Sequence, residues 1–106
     1  MATYKMRFMF DWGSGVCLWS VNQVTEEKFG DYPILTSRLP ISDKLKNELE
    51  YLIELHDEAL NWDEPNGDLL WDDNQINKFL EDVRIAYSQL CVELGEDYEI
   101  EFIERM

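Results

Sequence analysis

Cations are scarce in this chain: nine lysines and arginines stand against 23 aspartates and glutamates, leaving a net charge of -14 at pH 7. Between Asn47 and Asn77 they are missing altogether, although ten carboxylates fall in that stretch. A field of one sign at this density repels nucleic acid and anionic membrane and attracts a cationic surface. Direct phosphate binding, which rests on Lys and Arg, is set aside as a function class. Histidine occurs once, at His56, so a multi-histidine metal centre is set aside too. No apolar run reaches the length of a membrane span. The start MATYKMRF holds no apolar export core and no cleavage site, so the expectation is a cytoplasmic chain. Cys17 and Cys91 fall at otherwise apolar positions and read as buried thiols that stay reduced.

What is present argues for a folded protein. Hydrophobic residues make up 45% and aromatic residues 13% of 106 positions, which fits one domain over 1–106 with a core of its own. A disordered acidic chain would need low hydrophobicity as well as high charge. The net charge still opposes compaction, and added salt relieves part of that repulsion.

Tyr4, Met6, Phe8, Phe10 and Trp12 alternate with Lys5, Arg7, Met9 and Asp11, the period-2 pattern of a half-buried strand. Gly13-Ser14-Gly15 supplies a reversal, and Val16–Val21 returns as a second strand, so residues 4–22 predict a β-hairpin. Thr25–Phe29 predicts one helical turn stopped at Gly30, and the Tyr32-Pro33 and Leu39-Pro40 pairs predict extended chain covering the sheet edge. Ser42 caps a first long helix, in which Leu45, Leu49, Leu52, Ile53, His56 and Leu60 form the apolar stripe. That helix is expected to end near Asn61. Asp72 with Gln75 forms a capping box, and Trp71 with Ile76 is placed for a hydrophobic staple. A second helix then runs on the stripe Ile76, Phe79, Leu80, Val83, Tyr87, Leu90, Cys91 and Leu94 to Gly95. Residues 97–104 alternate again as a last strand. The predicted class is α+β: a small antiparallel sheet, made of the N-terminal hairpin and the C-terminal strand, packed on one face by two amphipathic helices.

Catalytic and metal readings find little support. An EF-hand register with Gly67 at the sixth position would place Trp62 at the first ligand, so the calcium match fails and no metal or cofactor is expected. Asp11-Trp12-Gly13-Ser14-Gly15 has neither the spacing of a nucleophile elbow nor the third glycine of a dinucleotide fingerprint. An ordinary hairpin turn, with Asp11 bonding nearby amides, accounts for it. His56 lies among Leu52, Ile53 and Leu60 and reads as a packing residue. An enzyme would need a pocket bringing His56 or a thiol to a partner group. The acids are too evenly spread to select a hydrolytic pair.

Part of the acidic tract is the solvated face of the first helix. That explanation does not account for the missing cations, since helices ordinarily mix both signs for (i, i+4) support. Nor does it account for Tyr51, Trp62 and Trp71 among the acids. The informative segment is the loop Asn61–Asp73, which displays five carboxylates together with two tryptophans. Tryptophan and tyrosine carry interface energy more often than other residues. The predicted partner-binding set is therefore Asp57, Glu58, Trp62, Asp63, Glu64, Asp68, Trp71, Asp72 and Asp73.

The hairpin RFMFDWGSGVCLW, the link DYPILTSRLPIS and the segment ALNWDEP together resemble small acidic bacterial immunity proteins of contact-dependent growth inhibition and polymorphic toxin systems. The resemblance implies a non-enzymatic inhibitor of a cognate toxin domain, and the reading adopted is a monomer or weak homodimer. It assigns no catalytic residues. A toxin that attacks nucleic acid must be basic, and opposite fields speed its capture. The rival reading is an acidic nucleic-acid mimic that inhibits a DNA-binding protein, which requires carboxylates spaced like phosphates along an extended face.

Overall fold

The computed structural model describes residues 2–103. Strand β1 is Tyr4–Phe8 and strand β2 is Leu18–Ser20. Helix α1 (Gln23–Phe29) follows, then strand β3 (Pro33–Ile34) and a single 3-10 turn over Thr36–Arg38. Helices α2 (Asp43–Ala59) and α3 (Asp73–Leu94) lead to strand β4 (Tyr98–Phe102). The α+β class stands.

The sheet runs in the order β3-β2-β1-β4. Its hairpin is as expected: β1 pairs antiparallel with β2, placing Met6 opposite Ser20 and Phe8 opposite Leu18. The wholly antiparallel sheet is corrected, because β4 lies parallel to β1, from Tyr4 beside Tyr98 to Phe8 beside Phe102. The cause is where α3 ends. Its last turn delivers the chain to the start of β1, and the Tyr4 N–H donates to the Asp97 carbonyl at 2.9 Å. From there β4 runs the same way as β1. The register sets Lys5 against Glu99 and Arg7 against Glu101, with ion pairs of 3.8 and 3.3 Å on the exposed face. Such exposed pairs each contribute only about 0–1 kcal/mol, but a one-residue slip would turn every side chain to the opposite face. The unpredicted strand β3 pairs with β2 at the edge that the covering segment was expected to protect.

The hairpin strands are shorter than their sequence pattern. Beyond Phe8 the ladder keeps one further backbone bond, Met9 N–H to the Cys17 carbonyl at 3.0 Å, and the connection then leaves the sheet. Gly13 turns at φ 80°, a conformation open to glycine, and its N–H donates to the Asp57 carboxylate at 3.0 Å. The Trp12 indole N–H reaches the His56 carbonyl at 2.7 Å. Within the turn the Asp11 main-chain carbonyl accepts from the Ser14 N–H and hydroxyl. The end of α2 thus holds the turn away from the sheet.

One core lies between the sheet and the two long helices. Met6, Phe8, Leu18 and Ile34 meet Leu45, Leu49 and Leu52 of α2 and Val83, Ala86 and Leu90 of α3. The buried line of α3 is Phe79, Val83, Ala86, Leu90 and Leu94, which corrects the placing of Cys91. One residue past Leu90, Cys91 is rotated about 100° off that line and is exposed. Cys17 is buried as expected, and both cysteines are free thiols. Burial, with a smaller effect from the Glu50 charge, pushes the Cys17 thiol far above its ordinary range, so it stays protonated.

The caps are local and hold as predicted. Ser42 accepts the Leu45 N–H at 3.2 Å, and α3 braces it: the Ser42 N–H and hydroxyl donate to the Glu93 carboxylate at 2.6 and 3.0 Å. The Ser42 N–H, then the Gln89 amide, hold the Glu93 carboxyl below its ordinary value. A carboxyl depressed in the folded state contributes stability above its unfolded pKa and loses it as pH falls through the depressed value. Glu93→Gln is therefore expected to melt below the wild type at pH 7, with the gap closing as the pH falls below the ordinary value of 4.5. Thermal melts across that range check this, and a constant gap would contradict it.

Candidate protein-binding site

Helix α2 stops at Ala59, and the chain folds back so that the Leu70 N–H donates to the Ala59 carbonyl at 2.8 Å. The segment between is a compact loop with its ends together. Asn61 organises it: its side-chain oxygen accepts the N–H groups of Asp63 and Glu64 at 3.1 and 3.3 Å. A second turn follows at Pro65-Asn66-Gly67, where the Gly67 N–H donates to the Glu64 carbonyl at 2.9 Å. Because Asn61 and the main chain satisfy these amides, the carboxylates of Asp63, Glu64 and Asp68 are left facing solvent.

Trp62 is 56% exposed yet anchored, its indole N–H donating to the Asp57 carbonyl at 2.9 Å. The far edge of its ring lies against Gly13, 3.6 Å from where a β-carbon would stand. The hairpin turn therefore joins the acidic loop, a placement that no spacing in the sequence signals. Asp11 and Trp12 enter the site by this route.

Trp71 stands at the other end of the loop, half-buried, its ring 5.4 Å from Phe79. Asp72 caps α3 by accepting the Gln75 N–H at 2.8 Å, and the Gln75 side chain accepts the Asp72 N–H at 3.0 Å. Asp73 lies exposed in the first helical turn, where the helix dipole favours an anion. The predicted residues thus divide by task. Asp57 and Asp72 are occupied by internal hydrogen bonds, to the Gly13 and Gln75 amides. Glu58, Asp63, Glu64, Asp68 and Asp73 are exposed. The ion pairs among the described residues join Lys5 to Glu99, Arg7 to Glu101 and Lys78 to Asp82. Among those residues, the acids from Asp57 to Asp73 have none.

Beneath the loop runs a column of rings. Trp12 stacks on His56 at 4.5 Å and 10°, His56 lies 5.7 Å from Phe79, and Phe79 meets Trp71. His56 is 1% exposed, enclosed by aromatic rings in the packing role its spacing predicts. The column gives the loop a stiff floor. Beside it, an open cleft of about 500 Å³ lies between α2 and α3, walled by Tyr51, Leu55, Trp71 and Phe79 and edged by Glu58, Asp72 and Asp82. Neither His56 nor a cysteine lines it. Among the described residues, no cluster of three or more His, Cys, Asp or Glu is arranged to hold a metal ion.

No curated protein matches this chain. Among known families, the one described as Serratia CdiI immunity protein-like matches residues 4–105. The match takes in the hairpin, both long helices, the acidic loop and β4, so it spans the candidate site as well as the fold. The chain belongs to the Serratia CdiI immunity protein-like family, whose role is that of an immunity protein in contact-dependent growth inhibition.

Proposed function

We propose that this chain neutralises its cognate toxin by binding a cationic toxin domain, a nuclease that grips nucleic acid with Lys and Arg. It does so in the bacterial cytoplasm, as a monomer or weak homodimer and without catalysis. The observation that carries this reading is the compact acidic loop: Asp63, Glu64 and Asp68 project from a loop closed at its base and floored by packed aromatic rings. Such a surface steers an oppositely charged partner into encounter. Trp62, exposed but held by its indole hydrogen bond, suits a short-range anchor.

The folded-back loop favours this reading over a nucleic-acid mimic, because it gathers its acids into a patch where a mimic would string them out at phosphate spacing. Co-production in a bacterium with the cognate toxin domain tests the proposal. Growth continues and cellular nucleic acid stays intact if it is right. Growth arrest despite folded, abundant chain would overturn the inhibitor reading. A toxin that arrests unprotected cells while leaving nucleic acid uncut would overturn the nuclease assignment.

A further inference from the structure

We propose that the cleft between α2 and α3, at the base of the acidic loop, receives an arginine side chain of the partner. This rests on the reading of the chain as the inhibitor of a cationic protein, and it names the contact that holds the complex once charge has steered it together. Tyr51 is 54% exposed on the α2 wall, among the acids Glu48, Glu50 and Glu54, and Trp71 and Phe79 provide the facing wall and floor. Two aromatic walls under a negative rim suit a guanidinium, which is planar, stacks on rings and sheds water more readily than an ammonium.

The rim is unevenly filled. At one side Lys78 donates to Asp82 at 2.8 Å, so the cleft already accommodates a cation there. At the other side Glu58 and Asp72 have no Lys or Arg partner among the described residues. That side is where the incoming guanidinium belongs. A second copy of the chain is the weaker occupant, because it brings a net charge of -14 to a rim of the same sign.

The test measures binding of the cognate toxin domain to the wild type, Tyr51→Ala and Glu58→Gln. Both residues are exposed, so thermal melts near the wild type are expected. Each variant is expected to release the toxin domain about tenfold faster or more, with a much smaller change in association rate. A second measurement follows the Trp71 indole N–H by NMR during titration with N-acetyl-arginine methylamide and with its uncharged citrulline counterpart. Only the arginine compound is expected to shift it. Capture by the wild type with unchanged release from both variants overturns the cleft contact and leaves the inhibitor reading intact. No capture by the wild type overturns both. A homodimer abolished by Tyr51→Ala would assign the cleft to a second copy and overturn the arginine contact.

Discussion

Reversing Asp63, Glu64 and Asp68 to lysine slows association with a cationic toxin domain by about tenfold to a hundredfold at low salt, and flattens its dependence on ionic strength. The magnitude follows from steering: opposite fields raise association from roughly 10⁵–10⁶ M⁻¹s⁻¹ toward 10⁸–10⁹ M⁻¹s⁻¹, and salt screens the gain. The three substitutions change the net charge by six units, from -14 to -8, all within one loop. The fold should tolerate them. All three residues are exposed, and the Asp63 and Glu64 amides are held by the Asn61 side chain rather than by these carboxylates. Relieving like-charge repulsion even favours the folded state. Asp57 would be a poorer choice, since its carboxylate holds the Gly13 amide and its loss would release the hairpin turn. Stopped-flow association at several salt concentrations checks the prediction, and wild-type kinetics in the triple variant would remove the loop from the interface.

The second large effect is on stability. Phe79→Ala is expected to cost about 3–5 kcal/mol, the range for deleting a buried aromatic ring. Phe79 is 2% exposed and stands at the junction of the ring column, 5.4 Å from Phe10, 5.7 Å from His56 and 5.4 Å from Trp71. Domains of this kind hold about 5–15 kcal/mol in total, so the loss takes a large share. At roughly 4 °C or more per kcal/mol, the melting temperature drops by at least about 12 °C. Trp71 also loses the ring it rests on, so the loop should exchange its amides faster in the variant. Urea denaturation gives the number directly, and a loss below about 1 kcal/mol would show that the column is not a single packed unit.

Local devices were legible in the sequence because their partners lie within a few residues. Ser42, Asp72 with Gln75, and Gly30 stop or start helices through bonds spanning three or four positions. The hairpin and the acidic loop close over ten or more residues but carry their own turn residues, Gly13 to Gly15 and Pro65 to Gly67. The direction of β4 was not legible, since alternation of Tyr98, Ile100 and Phe102 is the same in a parallel or an antiparallel strand. Only the length and docking of α3 decide it. Cys91 was misplaced because an apolar stripe read from periodicity alone is wider than the face the sheet covers. β3 is two residues long, too short to show any period. At the site, Trp62 and Trp71 were visible as aromatics within a charged stretch. The meeting of Trp12 with His56 and of Gly13 with Asp57 spans 44 residues, and nothing at either end announces the other.

Hydrogen exchange of the chain, free and bound to its cognate toxin domain, tests the central claim most directly. Binding is expected to slow exchange across the loop 61–73, the hairpin turn 11–15 and the facing turns of α2 and α3. Slowing confined to β4 and α1, with the acidic loop unchanged, would contradict it.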